Sequence, residues 1–512
     1  MSLINKKTML FLLILFITTI WYIPIINLPP GVYDEGIILV GAERILKGEI
    51  PHRDFFSLYF PGQIYTLAGI FRLFGTSILT ERIYDIIIKA SLSFTIFLIT
   101  RFLSSNLMAL IGWAMSLLWI TISSFPGYAV YPSLLFAYLG IYFILVYIKQ
   151  GGLSFVILSA IIIVLATLFR QDIGGFAGIS ITILLILKKL NDKEKGWLPL
   201  VYYIVGGITG ILTIVLYFYL NSAIKPMFND LIVYPLTEFT KYRNLPYPPP
   251  SLSSLPFYTF PATLFSGLLV SVFFMKRKIQ PIITYGIFLI SLFGILCLNQ
   301  VRIRSDLIHL LPIALTSILL SPILIHNLPI KPFSGNKLRM IIWMSFFILS
   351  GITLYKPVVI KFPSLPWDYT IKVTNPDIQR AKYLKLSESL RDAVVYIMRN
   401  TPEEEYIYVG VKNHDRLVIN HPIIYFIAER NCPARFHGFD PNLTETIQND
   451  VVTNLKEKAV RLIVLTPEAP WEEPSLNKTD EEIDIIDNYI ANNFELKERF
   501  GLYEIWVKTP FR

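Results

Sequence analysis

Residues 6–36 read KKTMLFLLILFITTIWYIPIINLPPGVYDEG: a basic pair, an apolar run, then adjacent carboxylates at Asp34 and Glu35. The run from Met9 to about Ile26 is long enough for a helix to cross roughly 30 Å of hydrocarbon. No small-residue cleavage site follows it, so it reads as a retained span rather than a signal peptide. The two acids stand just beyond its far end.

Outward from this stretch the pattern repeats. Apolar runs fall near Ile83–Thr100, Leu107–Ser124, Ser133–Ile148, Leu153–Phe169, Ile173–Leu187 and Trp197–Leu220. Others fall near Tyr258–Met275, Pro281–Leu298, Leu307–Ile325 and Leu338–Tyr355, which makes about 11 spans. With 512 residues, 54% hydrophobic content and mean hydropathy +0.54, the chain is too apolar for an ordinary soluble protein. The fold class expected is an α-helical polytopic membrane protein.

Lysine and arginine set the orientation. Lys6-Lys7, Arg101, Lys149, the cluster at Lys188-Lys189 with Lys193 and Lys195, Lys276-Arg277-Lys278, and Lys331 with Lys337 and Arg339 fall in alternate loops. The positive-inside rule makes those loops cytoplasmic, with the N-terminus, and sends the other loops and the tail outward. The net charge of +9 is thus a topology signal, and no basic face for nucleic acid is apparent. Cys297 lies in a span and Cys432 in the tail, which gives no disulfide framework.

Residues 1–356 form the expected membrane domain. Past a proline-punctuated linker, charge rises. Arg380–Asn400 has helical periodicity, and Tyr406–Val411, Val460–Leu465 and Leu502–Lys508 are short strand-like runs. Residues 357–512 therefore read as a small C-terminal α/β domain on the extracytoplasmic face. Two outward loops are long, Asn27–Arg82 and Asn221–Phe257. The first holds a helix at Gly36–Lys47 and another from near Pro61; the second holds an amphipathic stretch, Phe228–Tyr242. Helices of this kind are expected in the headgroup plane, covering a cavity.

Charges at one interface need a reason, because a bilayer makes them costly. Asp34, with Glu35 beside it, reads either as the cap of the helix starting near Gly36 or as a general base. Arg170-Gln171-Asp172 interrupts a stretch that is otherwise apolar. It reads as a solvated turn, or as a phosphate fork with a second catalytic carboxylate, Asp172. Arg302, Arg304 and Asp306, with His309 one turn on, sit on an outward loop against the positive-inside bias. They read as phosphate ligands rather than snorkelling arginines. His52, Arg53, Asp54 and Tyr59 are candidates for lining a substrate site. Asp85 and Lys89, four residues apart, read as an internal ion pair. His414, His421 and His437 show no ligand spacing, and no zinc pattern is present.

Tyr33-Asp34-Glu35-Gly36, Pro51-His52-Arg53-Asp54, Tyr59-Phe60-Pro61-Gly62, Arg170-Gln171-Asp172 and Arg304-Ser305-Asp306-Leu307-Ile308-His309 together resemble the GT-C glycosyltransferases. The likeness is to the bacterial branch of protein O-mannosyltransferases and the lipid A aminoarabinose transferase. It implies a sugar transferred from a polyprenyl-phosphate donor to a membrane lipid, glycan or protein, in the plasma (inner) membrane. Asp34 would be the base, and Arg170, Arg302, Arg304 and His309 would meet the donor phosphate. Some relatives use a divalent metal and others none; no Asp-x-Asp stands in these outer loops. A flippase for a lipid-linked sugar, or a non-catalytic subunit of polysaccharide assembly, are the other readings.

Overall fold

The computed structural model describes residues 6–123, 125–191, 196–239, 244–328, 367–414, 420–438, 444–467 and 483–509. Helix α1 (Lys6–Tyr22) continues as a 3-10 turn (Ile23–Asn27) and is followed by α2 (Asp34–Leu46) and α3 (Gly62–Phe74). The run continues through α4 (Ile78–Leu103), α5 (Asn106–Ile122), α6 (Val130–Gln150), α7 (Leu153–Phe169), α8 (Gln171–Asn191) and α9 (Leu198–Leu220). After a short helix, α10 (Ile224–Phe228), come α11 (Leu255–Lys276), α12 (Pro281–Ile303) and α13 (Leu311–Asn327).

Among the described residues, 7 helices are long and apolar enough to cross a membrane, and α5, α7 and α13 are shorter apolar helices. These ten fall on the first ten expected spans. The eleventh, Leu338–Tyr355, lies outside the described residues, as do Lys331, Lys337, Arg339 and the boundary expected after residue 356. The protein is an integral membrane protein.

Local chemistry sets several helix starts. Ser77 accepts from the Thr80 N–H at 3.1 Å and Ser105 from the Met108 N–H at 3.4 Å, so α4 and α5 begin with satisfied donors. Two all-apolar helices are buried in opposite ways. Every residue from Leu311 to Ile325 of α13 is buried by protein, whereas α9 buries only Tyr203 and Phe218. A helix apolar all round needs protein or lipid on every side, and α9 takes lipid.

The C-terminal domain comprises α14 (Glu388–Asn400), β1 (Tyr408–Val411), α15 (Ile423–Ala428), α16 (Glu445–Glu457), β2 (Leu462–Thr466), α17 (Ile485–Asn493), β3 (Phe494–Phe500) and β4 (Tyr503–Lys508). The sheet order is β1-β2-β4-β3. β1 and β2 are parallel, Tyr408 opposite Ile463, and the other pairs are antiparallel. The three expected strand runs match β1, β2 and β4. Strand β3 was not foreseen, because its middle residues are exposed and mostly charged, without apolar alternation.

One expectation needs correcting. Helix α2 is not a surface helix with one exposed face, whereas α3 keeps one, with Leu73 76% and Phe74 75% exposed. Leu39 and Ala42 of α2 and Leu67 of α3 are 0% exposed, in one apolar core with Ile423, Phe426 and Ile463 of the C-terminal domain. Gly36 makes this approach possible: a Cβ there would stand 2.5 Å from the Ile423 backbone nitrogen. Arg44 donates to the Ala434 carbonyl at 2.9 Å and Glu43 meets Arg380 at 3.0 Å, tying the same surfaces. The sequence periodicity of α2 reported only one apolar stripe; its polar face is buried as well, because it is paired.

The second loop holds the expected amphipathic stretch as two π-helical turns, Asn229–Val233 and Pro235–Phe239, while residues 240–243 lie outside the described residues.

Candidate active site

A cavity of about 550 Å³ opens where α2, the segment 56–60, the segment 125–129 and the α12–α13 connection meet. Asp34 opens α2 and lines it. The cap position is Tyr33, whose side chain makes no capping bond, so Asp34 sits in the first turn with its carboxyl exposed. An acid in a first turn also suits the helix dipole. Glu35 is oppositely placed. It is 1% exposed and held by Arg82, with Nε 2.7 Å from Oε1 and Nη2 2.9 Å from Oε2. Its Oε2 also accepts from the Gly31 N–H at 2.5 Å. One acid of the pair anchors the loop; the other faces the cavity.

Across the cavity stand Arg304, Asp306 and His309. Arg304 Nε donates to Asp306 Oδ2 at 2.8 Å, and Asp306 Oδ1 receives the N–H groups of Ile308 and His309 at 3.0 and 2.9 Å. His309 Nδ1 lies 2.7 Å from the same oxygen, and its Nε2 has no protein partner among the described residues. Burial pushes the Asp306 carboxyl up, but the hydrogen bonds and charge of His309 and the charge of Arg304 outweigh it and hold it at about 2. Leu245, from the second loop, donates its N–H to the Ile303 carbonyl at 3.3 Å and closes this wall.

The floor is aromatic. Tyr59, Phe60, Phe125 and Tyr128 line it, and burial raises the phenols of Tyr59 and Tyr128 above their ordinary value. Arg170 lies behind that floor, its guanidinium carbon 4.3 Å from the centre of the Tyr59 ring and Nη1 3.2 Å from the Tyr128 hydroxyl. Asp172 grips Arg170 through both oxygens, at 3.1 and 2.8 Å, and takes Gln300 Nε2 at 2.7 Å. Gln171 bonds the Phe60 N–H at 3.3 Å and the Leu58 carbonyl at 3.2 Å. The turn props Leu58–Phe60 from behind.

No family model matches the sequence, and no curated protein matches it. Solved structures do resemble the fold. ArnT from Cupriavidus metallidurans in the apo state superposes with TM-score 0.54 at 12% identity, covering 99% of each chain. ArnT bound to undecaprenyl phosphate gives 0.52 at 12% identity, again over 99% of each chain. The archaeal oligosaccharyltransferase AglB from Archaeoglobus fulgidus, in complex with an inhibitory peptide and a dolichol-phosphate, gives 0.52 at 12% identity over 90% of this chain and 70% of that one. The chain has the GT-C fold.

Within this GT-C fold the residues singled out in sequence separate into three groups. Asp34, Glu35, Tyr59, Arg304 and His309 line the cavity. Arg170 and Asp172 stand behind it. Arg302, His52, Arg53 and Asp54 are placed elsewhere. Arg302 is exposed on the last turn of α12 and bonds Asn299 at 3.0 Å, whereas Arg304 lies just past the helix end in extended backbone, φ −141° and ψ 105°, and lines the cavity. His52, at φ 69°, is wholly buried against Asp230 at 3.1 Å. Arg53 and Asp54 pair with each other at 2.8 Å.

Sequence reading missed Arg82, Gln63 and the C-terminal residues Arg435, His437 and His421. Arg435 reaches Asp230 and the His52 carbonyl at 2.8 Å each. His421 joins the Tyr33 hydroxyl at 3.3 Å and the Tyr503 hydroxyl at 3.0 Å. Nothing in local spacing signals these long-range partners. Among the described residues no three His, Cys, Asp or Glu side chains gather as a set that could hold a metal ion.

Proposed function

We propose that the chain is a glycosyltransferase that moves a sugar from a polyprenyl-phosphate donor to an acceptor on the extracytoplasmic face, with Asp34 as general base. One observation carries the reading: the exposed carboxyl of Asp34 shares a cavity with Arg304 and the Asp306–His309 pair. Base and phosphate ligands thus flank a single aromatic-floored space. The fold it shares with ArnT and AglB, whose structures carry undecaprenyl phosphate and a dolichol-phosphate, supports the same reading.

The prenyl tail lies among the spans, its phosphate meets Arg304 and His309 Nε2, and the sugar rests on the aromatic floor. Asp34 takes the proton of the acceptor hydroxyl or amine as that atom forms its bond to the anomeric carbon. The carbon–oxygen bond to phosphate breaks and its electron pair leaves with the phosphate. Arg304 and His309 donate hydrogen bonds to the phosphate oxygens on which that charge develops. Attack opposite the leaving group inverts the anomeric centre. The acceptor is a membrane lipid, a glycan or a protein.

Asp34→Asn is the test. The variant is expected to fold normally and to lose transfer, read by mass spectrometry as loss of the glycan or lipid species that a deletion strain lacks. Full restoration of that species by Asp34→Asn would remove Asp34 from its role.

A further inference from the structure

The C-terminal domain does more than cover the bundle. Its segment Ala434–Gly438 runs along α2 and the loop after it, at Phe55 and Phe56. The Arg435 carbonyl accepts from the Phe56 N–H at 3.1 Å, and Gly438 lies so close that a Cβ there would stand 2.2 Å from Ile37 Cγ1. His437 and Gly438 line the same cavity as Asp34.

His437 is the polar group of this wall. Its Nε2 bonds the Ile37 carbonyl at 3.0 Å, and the ring meets Phe55 edge-on with centroids 5.7 Å apart. Only a protonated Nε2 can donate to a carbonyl, so a neutral ring carries its lone pair on Nδ1. Burial first, then the charge of Arg44, holds the imidazole down at about 3, which keeps the ring neutral. Nδ1 is buried and has no hydrogen-bond partner among the described residues, and the residue is 3% exposed. A buried acceptor with no partner calls for one that the chain itself does not supply.

We propose that the C-terminal domain forms one wall of the substrate chamber, where His437 Nδ1 accepts a hydrogen bond from a hydroxyl group of the transferred sugar or of the acceptor. The proposal rests on the cavity being the transfer site. A lone-pair acceptor on a cavity wall that also carries Ile37, Ile38 and Phe56 favours a neutral hydroxyl over a carboxylate or phosphate. His437 is thus a specificity residue, carried by the domain farthest in sequence from Asp34.

Two substitutions separate this role from packing. In His437→Gln the amide nitrogen replaces Nε2 and keeps the Ile37 bond, while the Nδ1 acceptor is lost. In His437→Asn the amide oxygen replaces Nδ1 and the Ile37 bond is lost. Purified full-length protein in detergent is given an envelope extract from a strain lacking the chain, which holds both unreacted substrates. Product is followed by mass spectrometry, and free sugar released to water is measured in the same reaction.

Loss of one neutral hydrogen bond predicts an apparent KM for the extract about 3- to 10-fold higher in His437→Gln, at unchanged kcat and unfolding midpoint, with recovery in His437→Asn. Release of free sugar falls in parallel if the hydroxyl belongs to the transferred sugar and is unchanged if it belongs to the acceptor. Wild-type kinetics in His437→Gln beside impairment in His437→Asn would assign the histidine to its Ile37 bond and overturn the proposal. Equal losses with a lowered unfolding midpoint would overturn it too. Asp34→Asn run alongside keeps the two claims apart. If that variant is inactive while His437→Gln is normal, only the histidine's role falls; if it is fully active, the site itself falls.

Discussion

Arg82 holds Glu35 from inside the helical bundle, with Nε 2.7 Å from one carboxyl oxygen, Nη2 2.9 Å from the other, and neither side chain more than 1% exposed. The same guanidinium donates to the carbonyls of Ile25 at 2.8 Å and Pro29 at 3.3 Å. One side chain of α4 thereby fixes the end of α1, the loop after it and the first turn of α2. Asp34 owes its position to this anchor, since it follows Pro29 by five residues and precedes Glu35 by one.

Breaking that anchor leaves a buried carboxylate without its counter-charge. Arg82→Ala is expected to cost about 3–5 kcal/mol and to lower the unfolding midpoint of the detergent-solubilised protein. Arg82→Lys restores little, because a single ammonium cannot span both oxygens of Glu35. A midpoint within a degree of wild type in Arg82→Ala would show that the pair contributes nothing to the fold.

Arg302 and Arg304 are adjacent in motif and opposite in place. Arg304→Ala removes a cavity charge, and transfer is expected to fall by about 10²-fold, the scale set by losing one donor to a developing anion. Arg302→Ala removes an exposed side chain bonded to Asn299 and leaves transfer within about twofold. Initial rates of both variants on the same envelope extract decide it; equal losses would mean that both arginines reach the phosphate.

The membrane helices were legible because lipid imposes one rule on every span: ten apolar runs became ten apolar helices. Asp34, Arg304, Asp306 and His309, which line one cavity, stood out in the sequence because charge beside a span is costly. The rest was hidden by distance along the chain. His437 meets Ile37 across 400 residues and His421 meets Tyr33 across 388, and local periodicity carries no trace of either. Arg82 was hidden for another reason: it sits at the head of an apolar run, where an arginine ordinarily snorkels, and only the fold shows that it turns inward. Arg170 and Asp172, expected as a phosphate fork, bind each other through both carboxylate oxygens, and Arg170 lies over the Tyr59 ring.

Acid should loosen the C-terminal domain. Burial holds the His421 imidazole down at about 4 and, with the charge of Arg44, His437 at about 3, against 6.5 for an ordinary histidine. Below pH 6.5 the unfolded chain therefore binds more protons than the folded one, and stability falls as pH falls. Each histidine is expected to withdraw about 2 kcal/mol between pH 6.5 and 5. Unfolding midpoints at pH 7 and pH 5 test this: His421→Phe should lose less than wild type over that interval. An equal loss would place the acid sensitivity in other groups.

At Gly36 the backbones of α2 and the C-terminal domain meet directly, and this position tests whether the C-terminal domain must sit on α2 for the site to work. A Cβ at this position would meet the Ile423 nitrogen at 2.5 Å and the Ile423 Cα at 3.0 Å. Those are backbone atoms of α15 and cannot swing aside as a side chain would, so the helices must part. Overpacking of this kind costs about 1–3 kcal/mol. In Gly36→Ala the membrane helices should remain intact, since alanine favours a helix interior over glycine by about 1 kcal/mol. The C-terminal domain should instead become the part that a protease removes first, and transfer should fall with it. If Gly36→Ala resists proteolysis as wild type does yet transfers nothing, the separation of α2 from α15 is not what disables it, and the loss lies in the altered seat of Asp34 two residues away.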